Sequence, residues 1–228
     1  MRHGLSRPIC VLAAFAALAP AAHAQWEQRT LVTEATVTLA NFRDDPGMSW
    51  LKSNLPRAKA VMIAPSLAKV GFILGGAGGR AVVAARDPKT GAWVGPAFYT
   101  LATASVGVQA GVAVTQMVTL VMTDRGLNSL LSDSFKMGAD ATLAAGPVGG
   151  GAQADLVADL ISFSRATGVY GGLNFDGTVV VPSDSWNRLY YGTPVHATDI
   201  LVRESVHNKQ ASELLHLLAE ASKEPVKP

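Results

Sequence analysis

The chain has 228 residues, 19 lysines and arginines, 17 aspartates and glutamates, and a single cysteine. This length suits one domain with a substantial core. The near-balance of charge makes nucleic acid a poor candidate partner, and one cysteine excludes an internal disulfide and a site built from several thiolates.

The first 24 residues have the pattern of an export signal. Arg2 and Arg7 precede an apolar stretch from Ile9 to Leu18, and Ala22-His23-Ala24 supplies the small-x-small pattern of a signal-peptidase site. The apolar stretch is shorter than the about 20 residues of a membrane span. We therefore predict cleavage near Ala24 and a periplasmic or secreted protein, with an uncleaved anchor as the alternative. Cleavage removes Cys10, Arg2 and Arg7, so the mature chain has 17 basic and 17 acidic side chains.

Apolar residues at helical spacing predict a helix over Gln25–Phe42. Val32, Ala35, Leu39 and Phe42 recur at intervals of three and four, which places them on one face. Asp44-Asp45-Pro46-Gly47 is expected to end this helix. Met48 to Asn54 predicts a further short helical segment before Pro56.

From Ala60 to Val181 the apolar residues come in short runs that are rich in Val, Ile and Phe and separated by glycine, which is typical of strands. The predicted strands are Ala60–Ile63, Lys69–Leu74, Arg80–Arg86, Ala92–Tyr99, Ala104–Ala110, Gln116–Met122, Ala141–Ala145, Leu160–Arg165, Val169–Phe175 and Thr178–Val181. Asp87 to Gly91 predicts a tight connection, and Asp176-Gly177 is a strong hairpin pattern.

Helices are also predicted later in the chain, at Asp124–Lys136, at Asp184–Tyr191 and at Asp199–Val206 with Thr198 as its cap. Ala211, Leu214, Leu215 and Leu218 predict a last amphipathic helix. Residues 25–222 are expected to form a single domain, and residues 223–228 a disordered tail.

Glycines inside the strands predict that the sheet bends. Such positions permit bulges, coiling and close backbone approach. The fold class that follows is α+β, with a strongly curved, mostly antiparallel sheet or barrel-like core flanked by N- and C-terminal helices. The segment Thr90–Thr123 contains no charged residue, which could indicate a membrane-spanning helix. Its glycines and β-branched residues instead favour two buried strands.

Patterns that carry catalysis, cofactor binding or metal binding are weak. Gly76-Ala77-Gly78-Gly79-Arg80-Ala81 is a loose dinucleotide-binding pattern, but Ala81-Val82-Val83-Ala84 predicts a following strand, whereas such a site needs a helix. His196, His207 and His216 lack metal-ligand spacing, so surface or capping positions explain them better. Asp133, Asp140, Asp155 and Asp159 are close in sequence but lack a calcium-loop pattern. We expect no enzyme activity, cofactor or metal.

A basic segment stands out instead. Six basic residues interleave with Phe72, Trp93, Phe98 and Tyr99, and only Asp87 interrupts them; they are Arg57, Lys59, Lys69, Arg80, Arg86 and Lys89. Such a mixture can hold an anionic headgroup over apolar surface. Solvated strand ends and turns are the simpler explanation of the same pattern.

The middle of the chain resembles the SYLF domain family. The motifs that carry the resemblance occur in the family's order; they are Ala58 to Ile63, Lys69 to Gly76, Gly91 to Phe98, Ser105 to Gly111, Gly146-Pro147, Ile161 to Ser164, Gly168 to Leu173 and Asn187 to Gly192. The resemblance covers most of Leu51 to Gly192. It implies affinity for lipids, notably phosphoinositides in eukaryotic members, and for actin in fungal members. For an exported bacterial protein we expect an anionic lipid or membrane surface as partner, and not actin.

The resulting hypothesis is a non-catalytic lipid-binding protein of the bacterial envelope. Lys59, Lys69, Arg80 and Arg86 are the candidate headgroup contacts, and Phe72, Trp93 and Phe98 the candidate acyl-chain contacts. The alternative is a structural or interaction scaffold with no small ligand, which would dock through its last amphipathic helix.

Overall fold

A computed structural model of the chain describes residues 25–71, 74–106, 111–146, 157–168 and 175–223. Its helices are α1 (Trp26–Asp44), α2 (Ser49–Asn54), α3 (Asp124–Leu130), α4 (Asp184–Tyr191), α5 (Ala197–Leu201) and α6 (Ser212–Ala221), with 3-10 turns at Pro46–Met48, Leu55–Arg57 and Lys209–Ala211. Its strands are β1 (Ala60–Gly71), β2 (Leu74–Arg86), β3 (Trp93–Val106), β4 (Gly111–Val121), β5 (Phe135–Lys136), β6 (Leu143–Ala145), β7 (Leu160–Gly168) and β8 (Val179–Pro182). The predicted signal peptide lies outside the described residues.

Within the described residues, the eight strands form one sheet in the order β5-β8-β3-β2-β1-β4-β7-β6. The pairs are antiparallel except β6 with β7, which is parallel. The sheet is a strongly curled half-barrel with helices before and after it in the chain. The predicted fold class is therefore confirmed.

Two hydrophobic cores lie on opposite faces of this sheet. On one face, called the α1 face, α1 buries Val32, Ala35, Leu39 and Phe42 against Val61 and other residues of the long strands. On the other face, called the α3 face, Met62 and its neighbours pack against Leu130 of α3 and Ile200 of α5. Because successive strand side chains point to opposite faces, strands that are buried on both sides read as continuous apolar runs.

The long strands merge segments that the sequence pattern separates. The predicted strand Ala60–Ile63 and the first part of the predicted strand Lys69–Leu74 are joined in β1 through a bulge, where the two residues between Ile63 and Ser66 face a single residue of β2. Residues 72 and 73 lie outside the described residues, and Leu74 begins β2. Likewise β3 runs through the predicted gap between Tyr99 and Ala104 as far as Val106. The predicted strand Val169–Phe175 lies outside the described residues except for Phe175.

Two predicted helices are too long. The helix that begins at Asp124 ends at Leu130, because the Ser132 hydroxyl donates to the backbone of Ser129 and Ser134 in a turn that leads into β5. The predicted helix Asp199–Val206 is Ala197–Leu201 instead. His196, not Thr198, is its N-cap residue, and its backbone N–H donates to the Asp199 carboxylate.

The charge-free stretch Thr90–Thr123 contains the whole of β3 and of β4, in agreement with the prediction of two strands. In the part of the chain that the structure describes, no helix combines the length and apolarity that crossing a membrane requires.

Candidate functional site

Two of the predicted headgroup residues meet at one end of the sheet. The Arg86 backbone N–H donates to the Lys59 carbonyl at 2.7 Å, at the start of β1 and the end of β2. The Lys59 ammonium pairs with Asp124 at 2.8 Å. The Arg86 guanidinium donates to the Pro56 carbonyl and stacks 5.2 Å from the Trp93 ring centre. These two cations are thus engaged by the protein's own groups.

Lys69 lies far from that end. Its backbone is opposite Ala77 of β2, nine positions from Arg86. At about 3.3 Å per residue this separation is about 30 Å along the strand. The Lys69 side chain and the whole of Phe72 lie outside the described residues. The four predicted cations therefore do not form one cluster.

The two remaining predicted acyl-chain contacts are inside the protein. Trp93 is 6 % exposed, and its indole N–H donates to the Ser222 hydroxyl at 3.0 Å. Phe98 is fully buried, with its ring 5.0 Å from the Tyr190 ring and 5.9 Å from the Trp186 ring. In this structure both side chains stabilise the α1-face core and do not line an open surface.

Arg80 has a different environment, halfway along β2 on the α1 face. Its Nη1 donates to the Thr100 hydroxyl at 2.9 Å and to the Ser183 hydroxyl at 3.1 Å. Its guanidinium lies 4.1 Å from the centre of the Trp186 ring. Arg80 is half-buried, and among the described residues it forms no ion pair within 4.0 Å. Its charge is therefore held in place by neutral groups only.

Beyond Arg80 no described helix covers the α1 face of the sheet. The next row of directly opposed residues crosses five strands and contains no charge; we call it the apolar row, and its members are Val114, Ala68, Gly78, Ala102 and Val179. All five are exposed or half-exposed, and Val114 is 38 % exposed. The row spans four interstrand spacings, about 19 Å. An uncharged strip of this kind, beside a fixed cation, is a suitable contact for an amphiphile.

A polar row separates the apolar row from the helices; it consists of Arg165, Gln116, Ser66, Arg80 and Thr100. At one end of this row Arg165 pairs with Asp45, which follows α1 directly. The hydrogen bond from the Gly47 backbone N–H lowers the pKa of Asp45 most, and the hydrogen bond from Arg165 lowers it further. Near the other end stands Arg80. Among the residues that the structure describes, a carboxylate therefore neutralises Arg165 but not Arg80.

The opposite side of the same strands is closed. Leu67, Leu101 and Thr115 alternate with apolar-row residues and are buried on the α3 face. The far half of the sheet is thus covered on one side and open on the other, as antiparallel sheets commonly are.

The weaker sequence candidates have structural positions. His196 caps α5 and pairs with Asp184 at 2.7 Å, and His216 is exposed on α6. Asp159 is buried and accepts from Thr123 and Thr142, while Asp155 lies outside the described residues. Among the described residues no three His, Cys, Asp or Glu side chains are grouped so that they could hold a metal ion.

Sequence reasoning missed the partners of Arg80 and the apolar row. Thr100, Ser183 and Trp186 lie 20 or more positions from Arg80 in the chain, so no local pattern connects them. The residues of the apolar row can be found from the alternation of side chains along each strand. This alternation does not show which face of the sheet a helix leaves uncovered.

Comparison with known proteins supports the resemblance found in the sequence. A family model described as Ysc84, Las17-binding protein actin regulator, matches residues 102–221, which is more than half of the chain. The human SH3 domain-containing YSC84-like protein 1 is 26 % identical over 169 residues, which are 72 % of this chain and 49 % of that protein. LAS seventeen-binding protein 3 of Saccharomyces cerevisiae is 30 % identical over 154 residues, 64 % of this chain and 33 % of that protein.

The chain spans about half the length of the first of these relatives and a third of the second. No solved structure matches it significantly. The family and its relatives bear the names of binding and regulatory proteins, not of enzymes. Together with the motifs quoted above, these matches identify the chain as a member of the Ysc84, or SYLF, domain family.

Proposed function

We propose that this protein is a non-catalytic lipid-binding protein of the bacterial cell envelope, which contacts the acyl chains of an anionic phospholipid with its apolar row. The observation that carries the proposal is the solvent-exposed, uncharged row Val114, Ala68, Gly78, Ala102 and Val179 on the α1 face of the sheet. Its length of about 19 Å exceeds the about 15 Å depth of one hydrocarbon leaflet, so it can follow an extended acyl chain.

Charge complementarity favours an anionic lipid as the occupant. Arg80 lies one row away from Ala102 and has no carboxylate partner among the described residues. A half-buried cation is stabilised when an anion binds to it. Exposed apolar surface next to such a cation matches the two ends of a phospholipid.

The location of the protein is part of the proposal. Residues 1–24 have the pattern of an export signal, and we propose that cleavage near Ala24 releases the protein into the periplasm or the medium. N-terminal sequencing of the exported protein is expected to begin at Gln25. A protein that retains Met1 and stays in the cytoplasm would contradict this location.

Lipid binding is tested with residues 25–228, which contain every described helix and strand. This protein is co-sedimented with vesicles of phosphatidylcholine alone and with vesicles that also contain phosphatidylglycerol. Val114→Asp places a charge in the apolar row and is expected to abolish binding. The matched control is Val202→Asp, at an exposed position outside the row, where the side chain is 54 % exposed. Equal binding by both variants and the wild type would overturn the proposal, once near-ultraviolet circular dichroism shows that both are folded.

A protein-binding role is the second candidate, and the family's description as an actin regulator favours it. The expectation that actin is not a partner therefore stays a prediction, and co-sedimentation with filamentous actin tests it. Docking through the last helix has less support, because Leu214, Leu218 and Ala221 of α6 are buried against α1 and β3.

A further inference from the structure

We infer that the Nε–Nη2 edge of Arg80, which Thr100 and Ser183 hold in place through Nη1, is a phosphate-binding site, and that the phosphate is that of the lipid headgroup whose acyl chains lie on the apolar row. The lipid part of this inference rests on the proposed function. The phosphate part rests on the geometry of the three side chains and stands by itself.

The guanidinium of Arg80 is fixed in orientation with one edge unused. Nη1 donates both of its hydrogens, one to Thr100 Oγ1 and one to Ser183 Oγ. Of the five guanidinium N–H groups, the remaining three, on Nε and Nη2, have no hydrogen-bond partner among the described residues. The Nε–Nη2 edge is the fork that binds two oxygens of a phosphate or carboxylate side by side. Trp186 stacks against the guanidinium and limits its rotation.

The two hydroxyls fix the orientation of the free edge of Arg80. Thr100 Oγ1 and Ser183 Oγ accept from Arg80, so each keeps its own O–H hydrogen for another acceptor. Ser183 is only 9 % exposed, and although it is the N-cap residue of α4, its hydroxyl makes no capping bond to the helix. Both hydroxyls lie on the Nη1 side, opposite the Nε–Nη2 edge, so they orient this edge and leave it open to an anion. Phosphate suits the edge, because arginine binds two phosphate oxygens side by side.

The surrounding charges are compatible with an anion. The N-terminus of α4, next to Ser183, carries partial positive charge. The nearest acidic residue in sequence, Asp184, pairs with His196 at 2.7 Å and forms no ion pair with Arg80. Val181, 38 % exposed and directly opposite Thr100, continues the apolar surface beside the site. A phosphate here would thus lie at the border between polar and apolar surface, as in a phospholipid.

The experiment uses residues 25–228 and two probes: inorganic phosphate by calorimetric titration, and vesicles of phosphatidylcholine with phosphatidylglycerol by co-sedimentation. Arg80→Gln is expected to lower vesicle affinity by about tenfold or more, because it removes the charge and the fork. Arg80→Lys keeps the charge without the fork and is expected to recover only part of the loss. Ser183→Ala removes one of the two groups that orient Arg80 and removes no helix cap. It is expected to lower affinity by a smaller factor and keeps the test valid if Arg80→Gln does not fold.

The matched control is Arg57→Gln. Arg57 is exposed near the start of β1, so its loss changes the net charge equally but leaves the site intact. Equal losses for Arg80→Gln and Arg57→Gln would show general electrostatic attraction and overturn the site. Unchanged vesicle binding by Arg80→Gln would overturn it too while the lipid-binding function stands. A further outcome is that the wild type binds inorganic phosphate but not vesicles, and that Arg80→Gln loses the phosphate binding. This result would support the site for a soluble phosphate and overturn the assignment of the phosphate to a lipid. Binding of neither probe by the wild type would overturn both.

Discussion

Gly79 of β2 lies directly against Ser66 of β1, so closely that a β-carbon at position 79 would stand 2.4 Å from the Ser66 carbonyl oxygen. Ser66 follows the bulge of β1, after which it is opposite Arg80. The extra residue of the bulge also shifts the alternation of side chains, so Leu67 is buried on the α3 face and Ala68 is exposed on the α1 face. The bulge therefore determines which residues of β1 join the apolar row, and Gly79 permits the close approach of β2 just after it.

Gly79→Ala is expected to lower the free energy of unfolding by about 2 kcal/mol, because the new methyl group meets backbone atoms that cannot rotate away. The matched control is Gly78→Ala, where the nearest atom is the Leu101 carbonyl oxygen at 3.3 Å and a smaller loss is expected. Urea unfolding of the two variants measures the difference. Equal stabilities would contradict the close approach of β1 and β2 at Ser66.

Lys59→Gln is expected to change vesicle affinity by less than about twofold. The Lys59 ammonium already pairs with Asp124, so little of its charge is available to a headgroup, and exposed ion pairs contribute little to stability. Co-sedimentation beside Arg80→Gln measures the contrast. A loss for Lys59→Gln as large as that for Arg80→Gln would instead favour headgroup binding at the end of the sheet where Lys59 and Arg86 meet.

Buried tyrosines are expected to make the protein sensitive to alkali. Burial, with a smaller contribution from Asp184, raises the pKa of Tyr99, whose hydroxyl donates to the Leu130 carbonyl at 2.8 Å; burial also raises the pKa of Tyr190 and Tyr191. Above pH about 10 the unfolded chain loses these protons while the folded chain keeps them, so the free energy of unfolding falls as pH rises. Unfolding in urea at increasing pH checks this. Tyr99→Phe is expected to show a shallower decline, and an unchanged slope would contradict the role of Tyr99.

Asp159 is expected to make the protein sensitive to acid. The Thr123 hydroxyl lowers the pKa of this carboxyl most, and the Thr142 backbone N–H and hydroxyl, each at 2.9 Å, lower it further. Its contribution to stability is full above the unfolded pKa of about 3.9 and is lost as pH falls through the folded value.

Asp159→Asn is therefore expected to reduce stability at neutral pH by about 1–3 kcal/mol, the usual effect of losing hydrogen bonds to a buried charged group. It should also flatten the acid limb of stability against pH. Exposed Asp133, replaced by Asn, serves as the control and is expected to leave both quantities unchanged. An acid limb that persists in Asp159→Asn would show that another carboxyl carries the dependence.

The amino-acid sequence by itself determined the fold class, the family, and the elements with strong local patterns. α1 follows from the spacing of Val32, Ala35, Leu39 and Phe42, and α4 has the predicted bounds Asp184–Tyr191. These predictions succeeded because helical periodicity, glycine placement and turn residues are local properties. The prediction of a helix from Asp124 failed at its end, where the Ser132 hydroxyl bonds to the backbone of a turn. The prediction of a helix from Asp199 failed at its start, where His196 is the N-cap residue.

Only the tertiary structure decided which of the candidate residues can face a ligand. Trp93 and Phe98 are aromatic residues of the type that often contacts lipid, but they pack into the core. Ala68 and Ala102 belong to no recognisable binding motif in the sequence, yet they are exposed on the α1 face. Arg80 is distinguished from Lys59 and Arg86 by its partners Thr100, Ser183 and Trp186, which come from other parts of the chain. The physical reason is that burial and charge compensation depend on long-range packing. In addition, the bulge between Ile63 and Ser66 changes which face of the sheet each later side chain of β1 points to, and the local sequence pattern does not show this change.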